Sequence, residues 1–169
     1  MPTSESDNTP AASLRRSFAA ISSGNIVYWE PLPLAVTQSD IETLMGRPVT
    51  PASTLLFGQP AQQITFPSSA ALPAGATLWL QRDQLVLVDV RAPKLAAGAL
   101  DALGPAELEM ESGLGDAYVQ WLYPERGLIL HVSRHAHQVK RLLGLEATAV
   151  DTLRRAPIVG LHETRIPLN

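Results

Sequence analysis

Three histidines, His131, His135 and His137, crowd into one short stretch of the chain. Imidazoles four apart on a helix reach a common metal ion. Here His131 falls where the sequence reads as strand, and His135 and His137 fall where a helix is expected to begin. The glutamate of the helical zinc motif is missing. The bland reading, a solvated histidine group near a helix start, is preferred. If the chain is instead a metal-dependent or hydrolytic enzyme, His131, His135 and His137 are its working residues, with Asp89 or a glutamate beside them. Glu107, Glu109 and Glu111 alternate with non-acidic residues. That pattern suits a solvated strand edge or loop, where acids prevent edge-to-edge pairing. No Gly-x-Ser-x-Gly elbow, phosphate loop or dinucleotide fingerprint occurs. No cofactor is implied.

Bulk composition narrows the classes further. The chain has 169 residues, 46% hydrophobic and 17% charged, with net charge −3. That much apolar material is enough for a packed interior. The thirteen Lys and Arg are scattered, so nucleic acid has no basic stripe to bind. With no cysteine, disulfides, thiol catalysis and Cys-based zinc sites are excluded. Arg15-Arg16 precede an apolar patch, as in a twin-arginine export signal, but Ser22, Ser23 and Gly24 break the run. The cytoplasm is the expected location, with export left open. No membrane span is expected.

The elements that position these residues come from periodicity. Residues 1–10 are expected to be loose, and 11–169 to form a single α+β domain. Leu14, Phe18 and Ile21 make one helical stripe over residues 11–23, with Arg15 and Arg16 on its wet side. Tyr28 and Trp29 lie in an extended, proline-broken segment. Ser39 to Glu42 reads as a capping box for a short helix ending at Gly46. One or two strands follow, broken near Gly58, and then a strand–turn–strand over residues 76–90. A helix with Ala96, Ala99, Leu100 and Leu103 on its inner face ends at Gly104-Pro105. A second strand–turn–strand runs from Tyr118 to Val132, and a helix is expected over residues 134–143, with Val139, Leu142 and Leu143 inward. A last helical piece ends near Arg155, and the remaining tail is expected on the surface.

Setting Trp79 on Trp121 aligns the two hairpins, and suggests two tandem helix–hairpin repeats, about 39–92 and 95–143, completing one antiparallel sheet with helices on one face. An even turn at Pro124 to Gly127 pairs Tyr123 with Leu128, Trp121 with Leu130 and Val119 with Val132. These residues then form the face under the helices. Tyr118, Gln120, Leu122, Ile129 and His131 form the other, half-polar face, expected to be open to solvent. Gln120 faces His131, and in the first copy Leu78 faces Asp89.

Leu103-Gly104-Pro105 and the stretch Trp121 to Leu130 resemble the helix-plus-sheet unit of the β-lactamase-inhibitor-like superfamily. That superfamily includes the small outer-membrane assembly lipoproteins of the SmpA/OmlA kind, whose lipidated cysteine this chain lacks. The resemblance implies binding of another protein through an open sheet face and its loops. The expectation is therefore a non-catalytic protein-binding module, of inhibitor, immunity or adaptor type, with Tyr118, Gln120, His131 and Asp89 as binding residues. A homodimer through an uncovered sheet edge is a further expectation. A third reading is a small-molecule pocket walled by Trp29, Trp79 and Trp121.

Overall fold

The computed structural model describes residues 9–68 and 75–159. Residues 1–8, 69–74 and 160–169, and with them most of the expected loose N-terminus and the end of the expected surface tail, lie outside the described residues. The architecture is α+β. Among the described residues, eight antiparallel strands form one sheet: β1 (Ala52–Leu56), β2 (Gln59–Phe66), β3 (Ala76–Gln81), β4 (Gln84–Arg91), β5 (Leu108–Glu111), β6 (Tyr118–Tyr123), β7 (Leu128–Ser133) and β8 (Val139–Gly144). Their spatial order is β1-β2-β3-β4-β8-β7-β6-β5. The helices are α1 (Pro10–Ser22), α2 (Gln38–Met45), α3 (Ala99–Leu103) and α4 (Val150–Arg155). No helix among the described residues is long and apolar enough to cross a membrane.

One face of the sheet carries the main core. Leu14, Phe18 and Ile21 of α1, Ile41 of α2 and Leu103 of α3 pack there on Leu78, Leu80, Val88, Val90, Leu130 and Leu142. The expected stripe of α1 is what docks, with Arg15 and Arg16 left exposed. Thr9 caps the helix and Pro10 occupies its first turn, where a missing N–H does no harm. Trp29 is buried in the same layer, and its indole packs close to Gly144 of β8. A Cβ on Gly144 would come within 2.2 Å of the Trp29 ring, so this strand position admits no side chain.

The second face is also covered, which corrects the expectation of an open one. Leu153 of α4, with Ile158 and Val159 of the 3-10 turn Pro157–Val159, packs on Leu122, Ile129 and Leu143. Gln120, Leu122, Ile129 and His131 are all at most 1% exposed. The same cluster reaches Leu56 of β1 and Ala61 of β2, with Leu108 and Met110 of β5 packed against it.

Local corrections follow from turn chemistry. The capping box is Thr37 with Asp40, two residues before the expected one: Thr37 N–H donates to Asp40 Oδ2 at 2.9 Å. α3 has five residues because Gly98 sits at φ +77°, outside the helix and serving as its N-cap. Ala96 is therefore exposed, not inward. Residues 139–144 form β8, not a helix. Val139 and Leu142 enter the first core and Leu143 the second, so both faces of this strand are buried. A doubly buried strand lacks simple alternation and imitates a helical stripe.

The alignment of Trp79 with Trp121 fails. Trp79 is buried in the second-face core, whereas Trp121 packs against the first. The repetition visible in the topology is different. Each run of four consecutive strands follows a short helix, α2 or α3, and the two runs meet through β4 and β8. The β6–β7 hairpin thus occupies the place of β2–β3, not of β3–β4.

Candidate functional site

The β6–β7 register matches the expected one pair for pair, including Gln120 opposite His131. The ladder continues from His131 to Arg141 on β8. Gln120, His131 and Arg141 therefore lie side by side on the second face. In the first hairpin a tight turn at Arg82-Asp83, both at positive φ, and a bulge beyond it shift the register. Asp89 then pairs with Thr77, and Leu78 with Val88, correcting the Leu78–Asp89 pairing.

Asp89 meets Arg141 across the β4–β8 junction. Arg141 Nε donates to Asp89 Oδ1 at 2.9 Å and Nη2 donates to Oδ2 at 2.7 Å. The pair is buried, with side chains 1% and 3% exposed. Such a two-point contact fixes geometry as well as charge. Its contribution to net stability is small, because desolvation offsets attraction. Removing one partner is costly, because a buried charge is then left alone.

His131 completes the layer. Ser112 Oγ accepts the Leu114 N–H at 3.1 Å and lies 2.7 Å from His131 Nδ1. The serine hydroxyl donating to Nδ1 places the ring proton on Nε2, a tautomer assigned from this network. Nε2 and Gln120 Oε1 are buried without a hydrogen-bond partner. The Gln120 amide donates to the carbonyls of Glu111 and Val159, at 2.8 and 3.2 Å. Burial, and then the Arg141 guanidinium, push the His131 pKa down to about 4. A general base needs the opposite: an accessible ring whose protonated form is stabilised. Ser112 is 7% exposed and His131 1%, so this Ser–His contact is a structural one.

Of the expected binding residues, Gln120, His131 and Asp89 thus belong to one buried polar seam, with Arg141 and Ser112 added. Tyr118 lies at its rim, lining a cavity of about 410 Å³ with Arg91, Lys140 and Arg141. Arg141 lies in a stretch whose spacing reads as a helix, and that hides its place on β8. Arg141 is the buried one of two adjacent cations on β8, matched to the lone acid of β4.

The histidine group is dispersed. His131 is on the second face, and His137 touches Trp121 edge-on with ring centroids 6.3 Å apart. His135 is exposed in the β7–β8 turn. Among the described residues no three His, Cys, Asp or Glu side chains gather where a metal could sit, which corrects the His131/His135/His137 ligand set. The three tryptophans do not share a pocket either. Trp29 and Trp79 are buried in opposite cores, and Trp121 alone among them is half-exposed.

The sheet's two edges differ in charge. β5 carries Glu109 and Glu111 and follows Glu107, all three exposed. β1 carries no charge, and the sequence has no Asp, Glu, Lys, Arg or His from Pro48 to Gln81. Leu55 and Phe57 are 61% and 39% exposed there. Beside Phe57 an apolar cavity of about 170 Å³ is lined by Leu56, Leu87, Pro157 and Ile158.

The chain is an α+β protein with one antiparallel sheet. No protein-family model and no curated protein sequence matches it. Among solved structures it is similar to the crystal structure of YjgB, a DUF4309 family protein from Bacillus subtilis subsp. subtilis str. 168. The two are 12% identical, the match covers 82% of this chain and 97% of that one, and the TM-score is 0.42.

Proposed function

We propose that the chain is a non-catalytic protein-binding module that takes an extended segment of another protein onto the free edge of β1. The observation that carries this reading is the contrast between the edges. Exposed edges invite pairing, and proteins blunt those that must stay free with charge. β5 is blunted by glutamates. β1 is uncharged and presents Leu55 and Phe57. Addition of a strand supplies main-chain hydrogen bonds, and a neighbouring pocket supplies side-chain selectivity. The cavity beside Phe57 has the apolar lining for the second role.

The polar seam supports the non-catalytic part, since its serine and histidine are buried and the histidine is held neutral. The resemblance to the β-lactamase-inhibitor-like superfamily points to the same class, but the surface moves from the sheet face to its edge. A cysteine-free chain suits the reducing cytoplasm.

The test is capture from the native host with wild-type bait, Leu55→Lys bait and Glu146→Lys bait, followed by identification of the retained protein. Loss of one partner with Leu55→Lys alone supports the proposal. Self-capture, seen as a dimer that Leu55→Lys dissociates, makes the partner a second copy. Equal capture by all three baits, or none by any, contradicts it.

A further inference from the structure

A second surface lies at the opposite end of the sheet, on the helix-covered face. Two cavities, of about 760 and 470 Å³, adjoin there and share Leu100, Asp101 and His137. The smaller one contains Trp121, Asp101 and Glu109, and no lysine or arginine. Register places Glu109 of β5 directly opposite Trp121 of β6. Trp121 shares its face with Val119 and Leu130, which are 6% and 0% exposed, yet it remains half-exposed itself. Leu100 and Asp101 of α3, with Gly104 just after it, line the same cavity as Trp121. His137 and Trp121 make a T-shaped ring contact with centroids 6.3 Å apart, and Asp101 and Glu109 line the same cavity as both rings.

We infer that this groove binds a basic peptide, with one lysine or arginine side chain over the Trp121 indole between Glu109 and Asp101. An indole face attracts a cation through its quadrupole, and nearby carboxylates add direct charge attraction. The adjoining larger cavity argues for a peptide over a small organic cation. A compact ligand needs one pocket of about 300–1,000 Å³. Here a second cavity, lined in part by Lys94, extends the groove past Asp101 along residues 92–98, room that uncharged residues next to the basic one would occupy.

The inference is independent of the β1 proposal, because the groove is formed by α3, β5, β6 and the β7–β8 turn. The test is fluorescence anisotropy of a labelled lysine–serine peptide with the full chain at low salt. A glutamate–serine peptide serves as the control ligand. Asp101→Asn/Glu109→Gln keeps the shape of the groove and removes its charge. Trp121→Leu keeps an apolar side chain and removes the ring. Glu146→Gln removes an exposed acid elsewhere, and Leu55→Lys alters the other edge. The expected result is saturable binding of the lysine peptide only. Affinity falls about tenfold or more in the first two variants and is unchanged in Glu146→Gln and Leu55→Lys, with thermal midpoints confirming that each variant is folded. Equal weakening by Glu146→Gln, unchanged affinity in Asp101→Asn/Glu109→Gln, or no binding of the lysine peptide overturns the inference.

Discussion

The two four-strand runs that build the sheet handle charge in opposite ways. In the first, β1 to β3 contain no ionisable side chain other than those at the β3–β4 turn, and the outer edge is uncharged. In the second, the outer edge carries glutamates, and the strands behind it hold His131 and Arg141. The runs meet at β4 and β8, where Asp89 of one finds Arg141 of the other. Charge placed at the junction fixes how the halves register, because no other described partner neutralises Asp89 in the interior. Charge placed at one outer edge keeps that edge single. Its absence from the other outer edge leaves a surface that another strand can join.

Breaking the junction gives the largest expected effect. Asp89→Ala strands a buried guanidinium and should cost about 3–5 kcal/mol in urea unfolding, whereas Asp89→Leu/Arg141→Met should recover most of that loss. A loss near zero for Asp89→Ala would show that water reaches Arg141 and that the junction is not a specific one.

Next comes acid. His131 is neutral in the folded protein down to about pH 4, whereas an unfolded histidine takes up its proton near 6.5. Between those values the unfolded state binds more protons, so stability is full above pH 6.5 and declines as pH falls toward 4. The loss is about 3 kcal/mol over that window. His131→Gln should flatten this part of the pH profile, as followed by denaturant midpoints. His135→Gln, in an exposed turn, should leave it unchanged.

A smaller effect sharpens the contrast at β8. Gly144→Ala forces a methyl group against the Trp29 ring and should cost about 1–3 kcal/mol by thermal unfolding. Smallest is the guarded edge. Glu107→Ser/Glu109→Ser/Glu111→Ser should change stability by no more than about 0.5 kcal/mol. It should, however, introduce concentration-dependent association in sedimentation, because β5 then resembles β1.

Much of this was legible in the sequence. The β6–β7 hairpin could be read down to its pairs, because a Pro-Glu-Arg-Gly turn and alternation on one buried face fix the register together. α1 could be read from Leu14, Phe18 and Ile21. β8 could not. Val139, Leu142 and Leu143 satisfy a helical spacing as well as a strand buried on both sides, and only the neighbours β4 and β7 decide between them. The cover on the second face was hidden because it comes from Leu153, Ile158 and Val159, too short a run to announce a docking element. The seam was half visible. Gln120 and His131 follow from local register, but Asp89 and Arg141 are 52 residues apart and meet only through the sheet order.

The edge of β1 is tested most directly by site-specific photo-crosslinking in the native host. One crosslinking residue replaces Leu55 and, in a separate chain, one replaces Glu109. The expected result is a discrete protein adduct from position 55, competed away by unlabelled wild-type chain, with no such adduct of the same mass from position 109. Adducts of equal yield and identity from both positions, or none from position 55, would contradict an uncharged edge built to receive a partner strand.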